Sequence, residues 1–250
     1  MVIRLRCYLG LVLSGWAAVA GAQGCALPIP FHYVFQTQAT ATFSSTNPGD
    51  PCGLGVALGN GAGPTASGFL HYQRAQPLTS VRYGFRVDTR ALSPMHGAIQ
   101  LFSANAPVAP ITPGVPQSGV LTISLVQNSP SPLLRFFGAR SGNQGAQFAD
   151  PSLTPGVHTI RVQIAVGSGT AGSVRFWIDH AFSDQPDGVL DNGGTGLDNA
   201  AWIGVIGAEL GVSTADSFFR TNHAGAIVAF DQIETSDDVL FFDDFSSGAQ

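Results

Sequence analysis

Short runs in which apolar and polar residues alternate, or in which a few apolar residues stand together, recur along this chain. Gly, Pro, Asn and Asp cut them apart, and no stretch after residue 22 carries the helical period. The clearest runs are Phe31–Phe43, Gly68–Arg74, Val81–Val87, Ala98–Ser103 and Val120–Gln127. Leu133–Ala139, His158–Val166, Val174–Asp179, Trp202–Ala208 and Ala226–Ile233 follow. Strands without helices to cover them must bury one face against another sheet, so the pattern predicts an all-β chain of two packed sheets. A closed barrel is the alternative.

The first 22 residues stand apart. Arg4 and Arg6 precede a nearly apolar stretch from Tyr8 to Val19, and Ala20, Gly21 and Ala22 supply the small residues of a cleavage site. An apolar core of about a dozen residues suits a secretory leader and is shorter than the ~20 residues of a membrane span. The expected organisation is therefore a leader over 1–22, one sandwich domain over 23–236 and a terminal strand or tail over 237–250. Secretion, or a periplasmic or cell-surface location, follows. No later segment is apolar enough to span a bilayer. Cleavage would leave Cys25 and Cys52 as the mature cysteines, which in an oxidising compartment pair most simply with each other. Two free thiols and a lipid-anchored Cys25 are the alternatives.

All 11 basic residues are arginine, against 16 acidic ones, for a formal charge of −5. Without lysine there is no phosphate-loop or Schiff-base chemistry. Without a basic footprint there is no reason to expect a nucleic-acid partner. Removing Arg4 and Arg6 leaves nine arginines and a charge of −7.

Strand alternation sorts those arginines. In Val81–Asp88 the inward set is Val81, Tyr83, Phe85 and Val87, leaving Arg82 and Arg86 outward. Arg161 points outward between Ile160 and Val162, and Val174–Asp179 leaves Arg175, Trp177 and Asp179 on the polar side. Arg82, Arg86, Arg161, Arg175, Trp177 and Asp179 are thus the candidate ligand-binding set. An exposed Trp stacks on the apolar face of a sugar ring, while Arg and Asp hold its hydroxyls.

Residues 104–119 carry four prolines and read as an extended connector, whereas 183–200 is acidic and Gly-rich and belongs on the surface. Within it, Asp184, Asp187 and Asp191 partly echo the loops that wrap calcium, without the alternating Asp start or the closing Glu. Calcium is the one ion the sequence suggests. The six histidines lack metal-ligand spacing, and no serine elbow, zinc-protease or Cys-x-x-Cys motif occurs. Only Glu209 and Glu234 represent glutamate, neither in the paired-carboxylate setting of a glycosidase. No residue is assigned a catalytic role.

The motif order CGLGVALGNGAGPTASGFLHYQRAQPLTSVRYGFRVDT, then VHTIRVQIAVGSGTAGSVRFWID, then AIVAFDQIETS resembles bacterial concanavalin A-like, laminin G-like domains over about residues 52–236. Val157-His158 stands where that family commonly has Trp-His, and His180 where it has Gly. The resemblance implies a jelly-roll sandwich of two curved antiparallel sheets but fixes no activity. The leading expectation is an exported, non-enzymatic recognition or adhesion domain with a glycan or cell-surface polymer as partner. The alternatives are a polysaccharide hydrolase or lyase on the same fold and a purely structural envelope component.

Overall fold

The computed structural model describes residues 31–44, 53–106, 119–128, 131–140 and 146–235. The leader, Cys25 and Cys52 with their expected pairing, the tail over 237–250 and most of the proline-rich connector lie outside the described residues. Among those described, no helix is long and apolar enough to cross a membrane.

The alternating runs fold as two seven-stranded antiparallel sheets. In chain order the strands are β1 (Phe31–Thr37), β2 (Ala39–Ser44), β3 (Gly53–Leu58), β4 (Ser67–Leu78), β5 (Ser80–Asp88), β6 (Ala98–Asn105) and β7 (Gly119–Val126). Then come β8 (Leu133–Ala139), β9 (Ala146–Ala149), β10 (Val157–Ala165), β11 (Ser173–Ile178), β12 (Gly188–Leu190), β13 (Val205–Ala215) and β14 (Ile227–Thr235), with a short helix α1 (Ser217–Asn222) before the last strand. Sheet A runs β1-β4-β13-β6-β7-β8-β9 and sheet B runs β12-β11-β10-β5-β14-β3-β2. This is the expected sandwich of the jelly-roll class.

The run Phe31–Phe43, expected as one strand, is two. Gln38 adopts a left-handed φ of 49°, and the chain passes there from the edge of sheet A to the edge of sheet B. The Gln38 side chain fixes the corner by accepting a hydrogen bond from Gly63 N at 2.6 Å. The segment Trp202–Ala208 is also redrawn, because Trp202 closes a 3-10 turn and the strand runs on to Ala215.

Inward side chains of both sheets form one apolar core. Phe136 of sheet A stacks on Phe176 of sheet B with centroids 4.0 Å apart, and Phe102 of sheet A lies 5.6 Å from Phe85 of sheet B. Burying each such ring stabilises the fold by about 2–3 kcal/mol, which is why the inward parity is filled so consistently. Both outer faces are thereby left to polar chemistry.

Candidate functional site on the outer face of sheet A

On β4, Leu70 and Tyr72 enter the core, so alternation turns Phe69, His71 and Gln73 outward. On β13, Ala208 and Leu210 enter the core and Glu209 turns outward. On β6, Phe102 and Ala104 enter it and Ser103 and Asn105 turn outward, with Ala106, just past the strand, buried in its turn. Strand register then lines these residues up: Glu209 pairs with His71 on one side and Ser103 on the other, and Gly207 pairs with Gln73 and Asn105.

The residues face away from the core and are nevertheless recessed. His71 is 5% exposed, Glu209 8%, Ser103 3% and Asn105 2%. The Phe35–Phe69 stack, with centroids 5.0 Å apart, flanks them along β1 and β4. Glycine on either side of Glu209 keeps the floor low. A Cβ at Gly207 would meet Tyr72 O at 2.4 Å, and one at Gly211, where φ is +136°, would meet Gly68 O at 2.5 Å. The β13 backbone therefore lies against β4, and Glu209 supplies the side chain between the two glycines.

His71 Nδ1 stands 3.7 Å from Glu209 Oε1. Ser103 Oγ donates to Asn105 Oδ1 at 2.6 Å, which fixes the amide with its NH₂ group turned away from the serine. That Nδ2 is buried and has no acceptor among the described residues. A buried amide donor left without a partner is unfavourable by about 1–3 kcal/mol. Retaining one beside an imidazole and a carboxylate suits a site that an anionic group completes. None of these four residues stood in the sequence-derived site. The signal available was a polar residue on the outward parity of an otherwise apolar strand, as in GFLHYQR and GAELGV.

The sequence-derived ligand set lies on the opposite side of the molecule, on the outer face of sheet B. The structure brings it together in three rows. Arg175, Gln163 and Arg82 are in register across β11, β10 and β5. Trp177, Arg161, Gly84 and Glu234 form the next row, and Thr159, Arg86 and Asp231 the third.

Trp177 has the expected parity but is 3% exposed. The ring of Phe182 packs edge-on against it at 5.2 Å, and its Nε1 donates to Asp184 O at 2.9 Å. An open stacking platform is therefore replaced by a covered one, because the 180–187 loop folds back over the sheet. Arg161 is spent on Glu234 Oε1 at 3.2 Å and His180 O at 2.8 Å. Asp179 accepts from Thr159 N and His158 Nδ1, both at 2.8 Å. Burial raises the Asp231 carboxyl above the ordinary carboxylate range, against the pull of Arg86.

The three loop aspartates do not converge. Asp184 Oδ2 accepts from Ala181 N, Asp187 Oδ2 from Ile178 N and Asp191 Oδ1 from Gly194 N. Each closes its own turn, and among the described residues no three His, Cys, Asp or Glu side chains are grouped to hold a metal ion.

No family model matches this sequence, and no curated protein does. Among solved structures, the chain is similar to endo-β-1,4-glucuronan lyase from the fungus Trichoderma reesei, with a TM-score of 0.52 and 19% identity over 84% of this chain and 92% of that one. It is similar to the marine PL-14 alginate lyase from Aplysia kurodai, with a TM-score of 0.53 and 9% identity over 83% and 90%. The globular domain of T. cruzi calreticulin matches with a TM-score of 0.50 and 11% identity over 82% and 84%. At these identities the likeness is one of fold. The leading expectation of a non-enzymatic recognition or adhesion domain is nevertheless corrected. The neighbours include polysaccharide lyases matched over nearly their whole length, which favours the alternative of a lyase on this fold over that expectation.

Proposed function

We propose that this chain is a polysaccharide lyase that cleaves a uronate-containing polymer by β-elimination on the outer face of sheet A. The observation that carries the reading is the buried, unpartnered Asn105 Nδ2 beside the His71–Glu209 pair. In a 4-linked uronate the C5 proton becomes acidic when the neighbouring carboxylate is held by hydrogen-bond donors. Asn105 Nδ2 is the donor for that carboxylate and stabilises the enolate as it forms. His71, as neutral imidazole, takes the C5 proton. The electron pair forms the C4–C5 double bond, the C4–O bond breaks, and the departing oxygen takes a proton from the imidazolium. Glu209 holds the imidazolium while it exists. The lyase activity of two of the structural neighbours supports the class of reaction.

Hydrolysis is the less favoured chemistry, because it asks for two carboxylates on one face. Glu209 is the sole carboxylate on β4, β13 and β6, and Glu234 points from the other sheet toward Arg161. The leader-like first 22 residues support action outside the cytoplasm.

The test is incubation of the full chain with glucuronan and with alginate, following the ultraviolet absorbance of the unsaturated uronate. Absorbance that rises with the wild type and is lost in His71→Ala supports the reading. Reducing-end release without absorbance, or activity unchanged in His71→Ala, overturns it.

A further inference from the structure

We infer that the outer face of sheet B carries a second polymer-binding strip, in which Arg82, Phe182 and Arg175 hold an acidic polysaccharide remote from the sheet A site. It rests on the lyase reading for the class of polymer, but not for the existence of the strip. Four of the nine arginines outside the leader, Arg82, Arg86, Arg161 and Arg175, lie on this one face. Its carboxylates are mostly committed. Glu234 pairs with Arg161, Asp179 with Thr159 N and His158, Asp184 with Ala181 N, and Asp187 with Ile178 N and His180. Asp231 lies beyond Arg86 and is half-buried, with burial disfavouring its charge.

Arg82 and Arg175 are left exposed, with no carboxylate partner among the described residues. They flank Gln163 in one row, so their backbones stand two strand spacings apart, roughly 10 Å. Between Arg82 and Arg161 lies the half-buried ring of Phe182, with the two guanidinium carbons 5.2 Å and 5.9 Å from its centroid. An aromatic edge between guanidinium groups, with an amide and a second cation along the same row, offers an extended chain both an apolar surface and repeated anion contacts. Electrostatics gives the strip its use. A chain of charge −5 repels a polyanion at long range. A local row of unpaired guanidinium groups is what keeps such a polymer on the surface while another segment of it enters the opposite face.

The experiment is affinity electrophoresis of the full chain through gels containing alginate, with neutral hydroxyethylcellulose as control. His71→Ala is the background, so that the polymer stays intact. Retardation by alginate, weakened at least five-fold in Arg82→Ala/Arg175→Ala and by raising salt from 0.05 to about 0.5 M, supports the strip. Both side chains are exposed, and circular dichroism of the double variant verifies its fold. Equal retardation of the double variant, equal retardation by the neutral gel, or equal displacement by single-stranded DNA of matched charge overturns it. The two readings fail separately. Alginate and glucuronan that are bound through the arginines but never cleaved sink the lyase and keep the strip. Cleavage with binding unaffected by the double variant does the reverse.

Discussion

Glu209 and His71 face each other across the β13–β4 ladder, with Oε1 3.7 Å from Nδ1, and the next strand sets Ser103 on the far side of Glu209. A carboxylate, an imidazole and a hydroxyl thus share one row on the outer face of a sheet whose inward side chains join the apolar core. The burial of such polar groups on an outward face is a departure from packing economy that a binding function explains.

The amide next to that row yields the sharpest prediction. Asn105→Asp keeps the shape of the side chain but sets a carboxylate where the substrate carboxylate is to be held. Lyase activity on glucuronan or alginate should fall by about 10²–10³-fold, as when a preorganised donor is removed. Asn105→Ala should lower activity while changing the stability by no more than about 1 kcal/mol, because the lost Ser103 contact is offset by removal of an unpartnered buried donor. Urea denaturation alongside the absorbance assay checks both. A large stability loss in Asn105→Ala would mean that the residue holds the fold and not a ligand.

A second prediction concerns sheet B. Glu234 reaches Arg161 across Gly84, and a Cβ at position 84 would lie 2.9 Å from Glu234 Oε2. Gly84→Ala should therefore push the carboxylate off Arg161 and destabilise by no more than about 1 kcal/mol, the worth of a partly exposed ion pair, a fall in Tm of a few degrees at most. In a Glu234→Ala background the same change should be nearly neutral. A full-sized effect in both backgrounds would place the strain in the backbone instead.

Much of this architecture was legible in the residues, for a physical reason. The core parity is enforced by burial at every second position, so Val81-x-Tyr83-x-Phe85-x-Val87 and Ile160-x-Val162-x-Ile164 announce both their strand and their face. The short strands were not legible. β9 has four residues and β12 three, too few for a period to emerge. The site was hidden for a different reason. His71, Glu209 and Asn105 are far apart in sequence, and only the ladder register brings them into adjacent rows. Parity likewise gave Trp177 its correct face, but the cover that Phe182 lays over it is a loop conformation that no alternation encodes.

Protonation of His223 supplies a third prediction. Its Nε2 accepts from His96 N at 2.9 Å, which requires the neutral ring. Burial first, and the neighbouring His96 second, hold its pKa below the ordinary histidine value. A histidine depressed in the folded state binds its proton more readily when unfolded. Stability is then fully present above about pH 6.5 and is lost as the pH falls toward the lowered value, by at most about 1.4 kcal/mol per pH unit for one proton. Asp231, raised by burial, acts in the opposite direction, so the comparison is with His223→Asn, which keeps it. Denaturation midpoints at pH 7.5 and pH 5 should differ more for the wild type than for His223→Asn. Equal differences would sink the assignment.

The last prediction turns on Ile203, which ends the 3-10 turn Ala200–Trp202 with φ 65° and ψ −33°. A β-branched residue is disfavoured there because its Cβ crowds the backbone, and strain of this kind is worth about 1–3 kcal/mol. Ile203 is also 65% exposed, so its side chain contributes little packing in return. Ile203→Gly relieves the strain and loses only a partly buried apolar surface, while the extra freedom of glycine in the unfolded chain works against it by up to about 1 kcal/mol. The balance favours the glycine variant by about 1 kcal/mol, read as a higher urea midpoint at unchanged m-value. Ile203→Ala, which keeps a Cβ in the same conformation, should not gain. If alanine stabilised as much as glycine, the gain would come from removing exposed apolar surface and not from the backbone.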